Sequence, residues 1–162
     1  MCASIWIIVN SKMLSNGYPR MNIQIKTDCR HIDWNQVADI LKSVGMAYYS
    51  PEKHQKAFAA SYCTVFLFDN EKLIGLGRAI SDGAYQAAVY DCAVLEEYQR
   101  QGLGRLMMEH ILSRLPGCNV ILYAAPGREG FYQKLGFRKM KTGMAYFLNS
   151  DDMMERGFIE GS

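Results

Sequence analysis

The sequence lacks most of the features that would assign it quickly. Its 162 residues contain three histidines and five cysteines. The cysteines (Cys2, Cys29, Cys63, Cys92 and Cys118) are scattered, with no C-x-x-C pair and no histidine at zinc-ligand spacing, so no metal is expected. The scatter also argues against a disulfide framework and for reduced thiols in a cytoplasmic protein. Basic residues number 18 and acidic residues 16, a formal charge of +2. No polybasic face marks a nucleic-acid or lipid partner. The apolar run at 5–9 is far short of the roughly 20 residues of a membrane span, and no basic segment precedes it. Repeats and low-complexity tracts are absent. What remains is the composition of one domain, 49% apolar, enough for a core without staples.

Residues 1–20 end in the turn-rich Ser15-Asn16-Gly17-Tyr18-Pro19 and read as an appendage: an extra strand, a tag-like extension or a tail. A domain over 21–150 follows, then a C-terminal tail over 151–162. Within the domain a strand is expected at 22–26, then a helix capped by Asp33 and stopped at Gly45. Ser50-Pro51 opens another helix, with serine as cap and proline at the first helical position. Strands at 63–68, 72–80 and 85–94, joined by short turns, make an antiparallel meander. The order then changes to helix (103–115), strand (119–123), helix (128–135) and strand (144–148), which implies a parallel crossover. The expected architecture is α/β with a mixed sheet of six or seven strands, antiparallel and then parallel, and helices on both faces.

The chemistry is concentrated at 90–105, YDCAVLEEYQRQGLGR. An apolar strand runs into Gln99-Arg100-Gln101-Gly102-Leu103-Gly104 and then into a helix bearing Leu106, Met107, Ile111 and Leu112. Glycines at such a junction remove side chains where a ligand must approach backbone. The unpaired amides of the first helical turn point at one place, where the helix dipole favours an anion such as a pyrophosphate. A tight strand-to-helix turn with no ligand satisfies the same spacing. A Rossmann site is disfavoured, since Met107 stands where its third glycine belongs, and a Walker loop is excluded because no G-K-S/T follows.

Gln99 to Gly104 resembles the Q/R-x-x-G-x-G/A motif of the GNAT superfamily of acyl-CoA N-acyltransferases. The preceding Val94-Leu95-Glu96-Glu97-Tyr98 resembles its V-x-P-E-Y lead-in, with Glu96 for the usual proline. A second block, Phe131-Tyr132-Gln133-Lys134-Leu135-Gly136-Phe137, is similar to the family's F-Y-x-K-x-G-F at the expected distance. The resemblance covers roughly 65–148. It departs at Ala124-Ala125-Pro126-Gly127, where many relatives place an asparagine. Asp91-Cys92-Ala93-Val94 with Leu122-Tyr123-Ala124-Ala125 looks nearest to the arylalkylamine (serotonin-type) N-acetyltransferases of plants and cyanobacteria.

The resemblance implies a GNAT fold splayed between its fourth and fifth strands, with acetyl-CoA as cosubstrate. Cys92, Ala93 and Val94 would then line the acyl site, the Val94 amide polarising the thioester carbonyl. Gln99, Arg100, Gln101, Gly102, Leu103, Gly104 and Arg105 would hold the pyrophosphate through backbone amides, with the two arginine side chains as charge partners. Tyr132 would contact the cofactor and protonate the departing thiolate, a phenol being close enough in pKa to a thiol. An attacking amine must first lose a proton, and Asp91 is the candidate base, placed by alternation on the face opposite Cys92 and Val94. Tyr48, Tyr49 and His54 flank a helix start, where solvent-facing loop positions and the wall of an acceptor pocket are both open readings. Cys92 is expected to pack, since direct transfer needs no enzyme nucleophile. The implied function is acetyl transfer to a primary amine, with a small-molecule acceptor as partner and a homodimer as assembly. A protein lysine or N-terminal acetyltransferase and a non-catalytic acyl-CoA-binding module are the alternatives.

Overall fold

The computed structural model describes the backbone of residues 6–9 and the chain from 22 to 161, and it divides into two compact units that meet in sequence at Ile121 and Leu122. The first unit is built on one sheet in the order β1-β2-β3-β4-β5-β6. Its strands are β1 (Trp6–Val9), β2 (Ile23–Lys26), β3 (Cys63–Asp69), β4 (Lys72–Ser81), β5 (Gln86–Val94) and β6 (Asn119–Ile121). The five from β2 to β6 form the mixed sheet, antiparallel up to β5 and parallel between β5 and β6, and β1 adds an antiparallel strand at the β2 edge. Of the appendage expected at 1–20, Trp6–Val9 is thus a strand, and the rest lies outside the described residues.

Helices α1 (Trp34–Ser43) and α2 (Pro51–Ala59) precede β3 and begin on the residues their sequence specifies. The Asp33 carboxylate accepts the Asn35 amide at 3.0 Å, and the Ser50 hydroxyl accepts the Lys53 amide with Pro51 following. Val37, Ile40 and Leu41 recur at helical spacing on α1 and are buried, as is Phe58 on α2. They pack with Phe66, Leu73, Leu76 and Ala93 of the sheet, Phe58 stacking on Phe66 at 5.4 Å between ring centroids. Burying a side chain the size of Phe58 stabilises by about 1.5–3 kcal/mol.

Helix α3 (Leu103–Ser113) lies on the other face. Successive side chains of a strand alternate in direction, and a Cβ at Gly77, next to Leu76 on β4, would meet Met107 Sδ at 2.7 Å and Ile111 Cδ1 at 3.2 Å. The β3 to β4 and β4 to β5 turns are short. In the second, the Asp82 carboxylate accepts three amides, from Ala84, Tyr85 and Gln86, at 2.8–3.1 Å.

The second unit carries α4 (Glu129–Gln133) and α5 (Ser150–Glu155), and it packs around Tyr123, whose ring meets Phe147 at 5.8 Å and Phe158 at 5.7 Å. The expected strand at 144–148 is absent, so the mixed part of the sheet from β2 to β6 has five strands instead of the expected six or seven, and β1 makes the sixth strand of the whole sheet. The alternation of Met144, Tyr146 and Leu148 is real, but all three are more than nine-tenths exposed and the segment has no ladder partner. A period-2 pattern makes a chain strand-competent, and pairing makes it a strand.

Candidate active site

Two local distortions shape the acyl end of β5. The ladder pairs Arg78 with Tyr90 and Leu76 with Ala93, so Gly77 alone faces Asp91 and Cys92 together. This is a β-bulge, and Asp91 carries it with φ +54°, in the left-handed region that few residues other than glycine enter and that aspartate tolerates best after asparagine. The bulge turns consecutive side chains the same way. Tyr90 and Asp91 both meet the Arg78 guanidinium, which also lies 5.7 Å from the Phe58 ring on the α1/α2 face. Arg78 Nε donates to Asp91 Oδ2 in a part-buried ion pair, and its Nη1 reaches the Ser61 hydroxyl at 3.4 Å. Cys92 faces the other way, 3.7 Å from Met108 Sδ on α3. Burial, with the Asp91 carboxylate second, pushes its thiol up to about 12. A thiol so far from ionising is packing, not a nucleophile.

Beyond the bulge, the direction of the Val94 amide follows from its neighbours. Leu95 N donates to Ile74 O at 2.9 Å. In an antiparallel ladder alternate residues point their backbone groups at the same neighbour, so Val94, one residue earlier, points its N–H and C=O away from β4. The opposite edge is paired by β6 only from Gln86 to Ala88. Val94 thus lies six residues beyond the last ladder pair. The Val94 carbonyl is held by Gln99, whose Nε2 donates to it at 2.9 Å.

Gln99 therefore does more than contribute an amide to the turn: it ties the turn to the strand end. Glu96–Tyr98 forms a single 3₁₀ turn between them, and the Gln101 Nε2 donates back to Glu97 O at 2.9 Å. Arg100 and Gly102 both have positive φ, +62° and +83°, and these two left-handed steps aim the chain into α3. Gly102 is the N-cap of α3 and offers no side chain; the first turn contains no acidic residue. The amides of Leu103, Gly104 and Arg105 thus converge at a positive helix end without a carboxylate competing for them. The Arg105 Nε pairs with Glu109 at 2.7 Å, one turn along the helix. No side-chain interaction singles out Arg100 as a phosphate partner beyond its place in the turn.

In the second unit, Tyr132 sits on α4 with Phe131 at 5.0 Å and Phe137 at 6.0 Å, both edge-on. Gly136, at φ +92°, ends the helix in the left-handed conformation that returns the Phe137 amide to Tyr132 O at 3.1 Å. The G-F of the second block is thus a helix stop that fixes the aromatic group.

Sequence reasoning missed two residues. The first is Arg78, the partner of Asp91, for which no sequence pattern existed. The second is His54, read as a loop residue or pocket wall but in fact 4% exposed. Its position four residues before Phe58 on the buried face of α2 was the available signal.

A strand end left unpaired beyond Ala88, followed by a glycine turn and a helix start with no side-chain cap, gives this α/β domain a helix N-terminus suited to an anion. The Acetyltransferase (GNAT) domain family matches residues 60–139. A Staphylococcus aureus structure described as a probable acetyltransferase is 30% identical with a TM-score of 0.68, over 76% of this chain and 98% of its own. The Gracilaria tenuistipitata N-acetyltransferase ycf52, itself uncharacterized, is 33% identical over 114 residues, 66% of this chain and 63% of its own length. The chloroplastic serotonin N-acetyltransferase 2 of rice is 28% identical over 149 residues, 85% of this chain and 72% of its own. The chain belongs to the GNAT family of acetyltransferases, enzymes that use acetyl-CoA to acetylate an amine.

The Gln99 bond carries a direct prediction. Gln99→Leu should lower kcat about tenfold with less than about threefold change in acetyl-CoA affinity, because the backbone amides of the turn survive while the Val94 carbonyl loses the Gln99 donor. Single-turnover rates with equilibrium binding of acetyl-CoA check this; an equal loss in both would assign Gln99 to the turn alone.

Proposed function

We propose that the protein moves the acetyl group of acetyl-CoA directly to a small primary amine. The observation that carries the reading is the outward-pointing Val94 N–H, joined through Gln99 to the uncapped start of α3. The amides of the turn bind the pyrophosphate, and the Val94 N–H donates to the thioester oxygen as negative charge develops there. A fixed donor of this kind is worth about 2.7–4 kcal/mol in acyl transfer. Asp91 receives the proton of the incoming ammonium through water: Oδ2 is taken by Arg78, which leaves Oδ1 as the acceptor. Tyr132 gives its phenolic proton to the departing sulfur. The four cysteines of the described residues are all free, in keeping with a compartment of reduced thiols such as the cytoplasm. Among the described residues no helix is long and apolar enough to cross a membrane.

A small-amine acceptor is supported by the likeness to the rice serotonin enzyme. The test is CoA release from acetyl-CoA with arylalkylamines, polyamines, aminoglycosides, amino acids and lysine peptides, against a buffer control for thioester hydrolysis. Arylalkylamines are expected to exceed lysine peptides by at least about tenfold in kcat/KM, the discrimination one well-fitted apolar group provides. Preference for peptides would make it a protein acetyltransferase, and absence of transfer to every amine would sink the catalytic reading.

A further inference from the structure

The buried His54 has no part in the chemistry above. Its Nε2 accepts the Tyr49 amide proton at 2.9 Å across the start of α2, so its own proton is on Nδ1 and the ring is neutral. That bond spends the only lone pair an imidazole could use as a base. The two rings stand 5.9 Å apart, and the Lys53 ammonium covers the Tyr49 ring at 3.6 Å from its centroid. Burial pushes the His54 pKa below the usual histidine value. The charged groups acting on the ring come from three elements: Lys53 on α2 and Arg78 on β4 oppose its protonation, while Asp91 on the β5 bulge favours it. Tyr48 and Tyr49, both half-exposed, are thereby anchored to a residue within electrostatic reach of the Arg78–Asp91 pair.

We infer that His54 is a positioning residue for the amine acceptor: as a hydrogen-bond acceptor for the Tyr49 amide it fixes the Tyr48-Tyr49 segment, which forms one wall of the acceptor site. The inference rests on the acetyl-transfer reading for the identity of what binds there, but the bond itself does not. A proton at Nε2 would set N–H against N–H and release the segment. The sign follows from the lowered pKa: the bond is intact above the folded-state pKa and is lost as pH falls through it.

The test separates the bond from its consequence. In the full chain, the Tyr49 amide shift and exchange protection are followed by NMR between about pH 5 and 8, the range in which histidines titrate. The wild type should lose protection on the acid side. His54→Gln, whose side-chain carbonyl accepts without titrating, should keep it throughout. In steady-state kinetics with the best amine, His54→Ala should raise the acceptor KM about tenfold, the scale of one hydrogen bond, with acetyl-CoA affinity unchanged, and His54→Gln should restore it. A Tyr49 amide that does not titrate overturns the inference whatever the activity. A titrating amide with acceptor KM unmoved by either variant, or with acetyl-CoA affinity lost in parallel, overturns the positioning role. Absence of turnover with every amine, while the amide titrates, would instead strike the acetyl-transfer reading and take the acceptor role with it.

Discussion

Replacing Tyr132 with phenylalanine is expected to lower kcat by about 10²-fold or more while leaving acetyl-CoA affinity within about twofold. The substitution removes one oxygen and keeps the ring, against which Phe131 and Phe137 pack edge-on, while the Gly136 turn fixes its backbone through the Phe137 amide. The variant should stay folded, since neither a large cavity nor a backbone change is made. The loss appears in kcat because a proton reaches the departing sulfur only in the transition state, so a group that supplies it contributes little to ground-state binding. Single-turnover acetyl transfer with the best amine, run beside calorimetric binding of acetyl-CoA, checks both halves. An unchanged kcat across the working pH range would remove Tyr132 from the chemistry and leave it as packing between two phenylalanines.

Motifs exposed that residue and the glycine turn before α3 because each rests on local backbone requirements. Gly102 and Gly136 occupy left-handed positions that a sequence reader can infer from glycine at the edge of a helical pattern. Asp33 and Ser50 announce their helices for the same reason: a cap is a relation between neighbours in sequence. The bulge at Asp91 is different. It lies opposite Gly77 on another strand, where α3 comes close, and nothing within 88–95 distinguishes a regular strand from a bulged one. The bulge is also what brings Asp91 to Arg78, so the electrostatics of the proposed base were hidden along with the backbone that creates them.

Long-range bonds account for the remaining gaps. Gln99 lies in the turn by sequence and acts on the strand by geometry, a role that requires knowing that the Val94 carbonyl faces away from β4. His54 looks polar and therefore exposed, yet α2 has to present the Phe58 face to the sheet, and the residue one turn earlier goes in with it. The segment at 144–148 fails in the opposite sense: its pattern is sufficient for a strand and no partner completes it.

The two glycines of β4 near the site should respond differently to alanine, and the contrast tests the assignment of the Val94 amide. A Cβ at Gly75 would lie 3.0 Å from the Ala93 carbonyl oxygen, with Val94 Cγ2 at 3.2 Å and Leu67 Cδ1 at 3.4 Å. That carbonyl and the Val94 N–H belong to one peptide unit, which is planar and moves as a body. Relief of the contact must tilt the group assigned to the thioester oxygen, so Gly75→Ala should lower kcat about 10- to 100-fold, or roughly 1.4–2.7 kcal/mol of transition-state stabilisation. At Gly77 the nearest atom is Met107 Sδ at 2.7 Å, followed by Cys92 Sγ at 3.0 Å, all of it side chain. Methionine has three rotatable bonds with which to yield, but Met107 is buried on the sheet-facing side of α3, so Gly77→Ala should cost stability, about 1–3 kcal/mol, with a smaller effect on kcat. Chemical denaturation and single-turnover kinetics on both variants separate the outcomes. If Gly77→Ala loses kcat as severely as Gly75→Ala at temperatures where both are folded, the general geometry of the bulge governs the rate and the Val94 amide holds no special place in it.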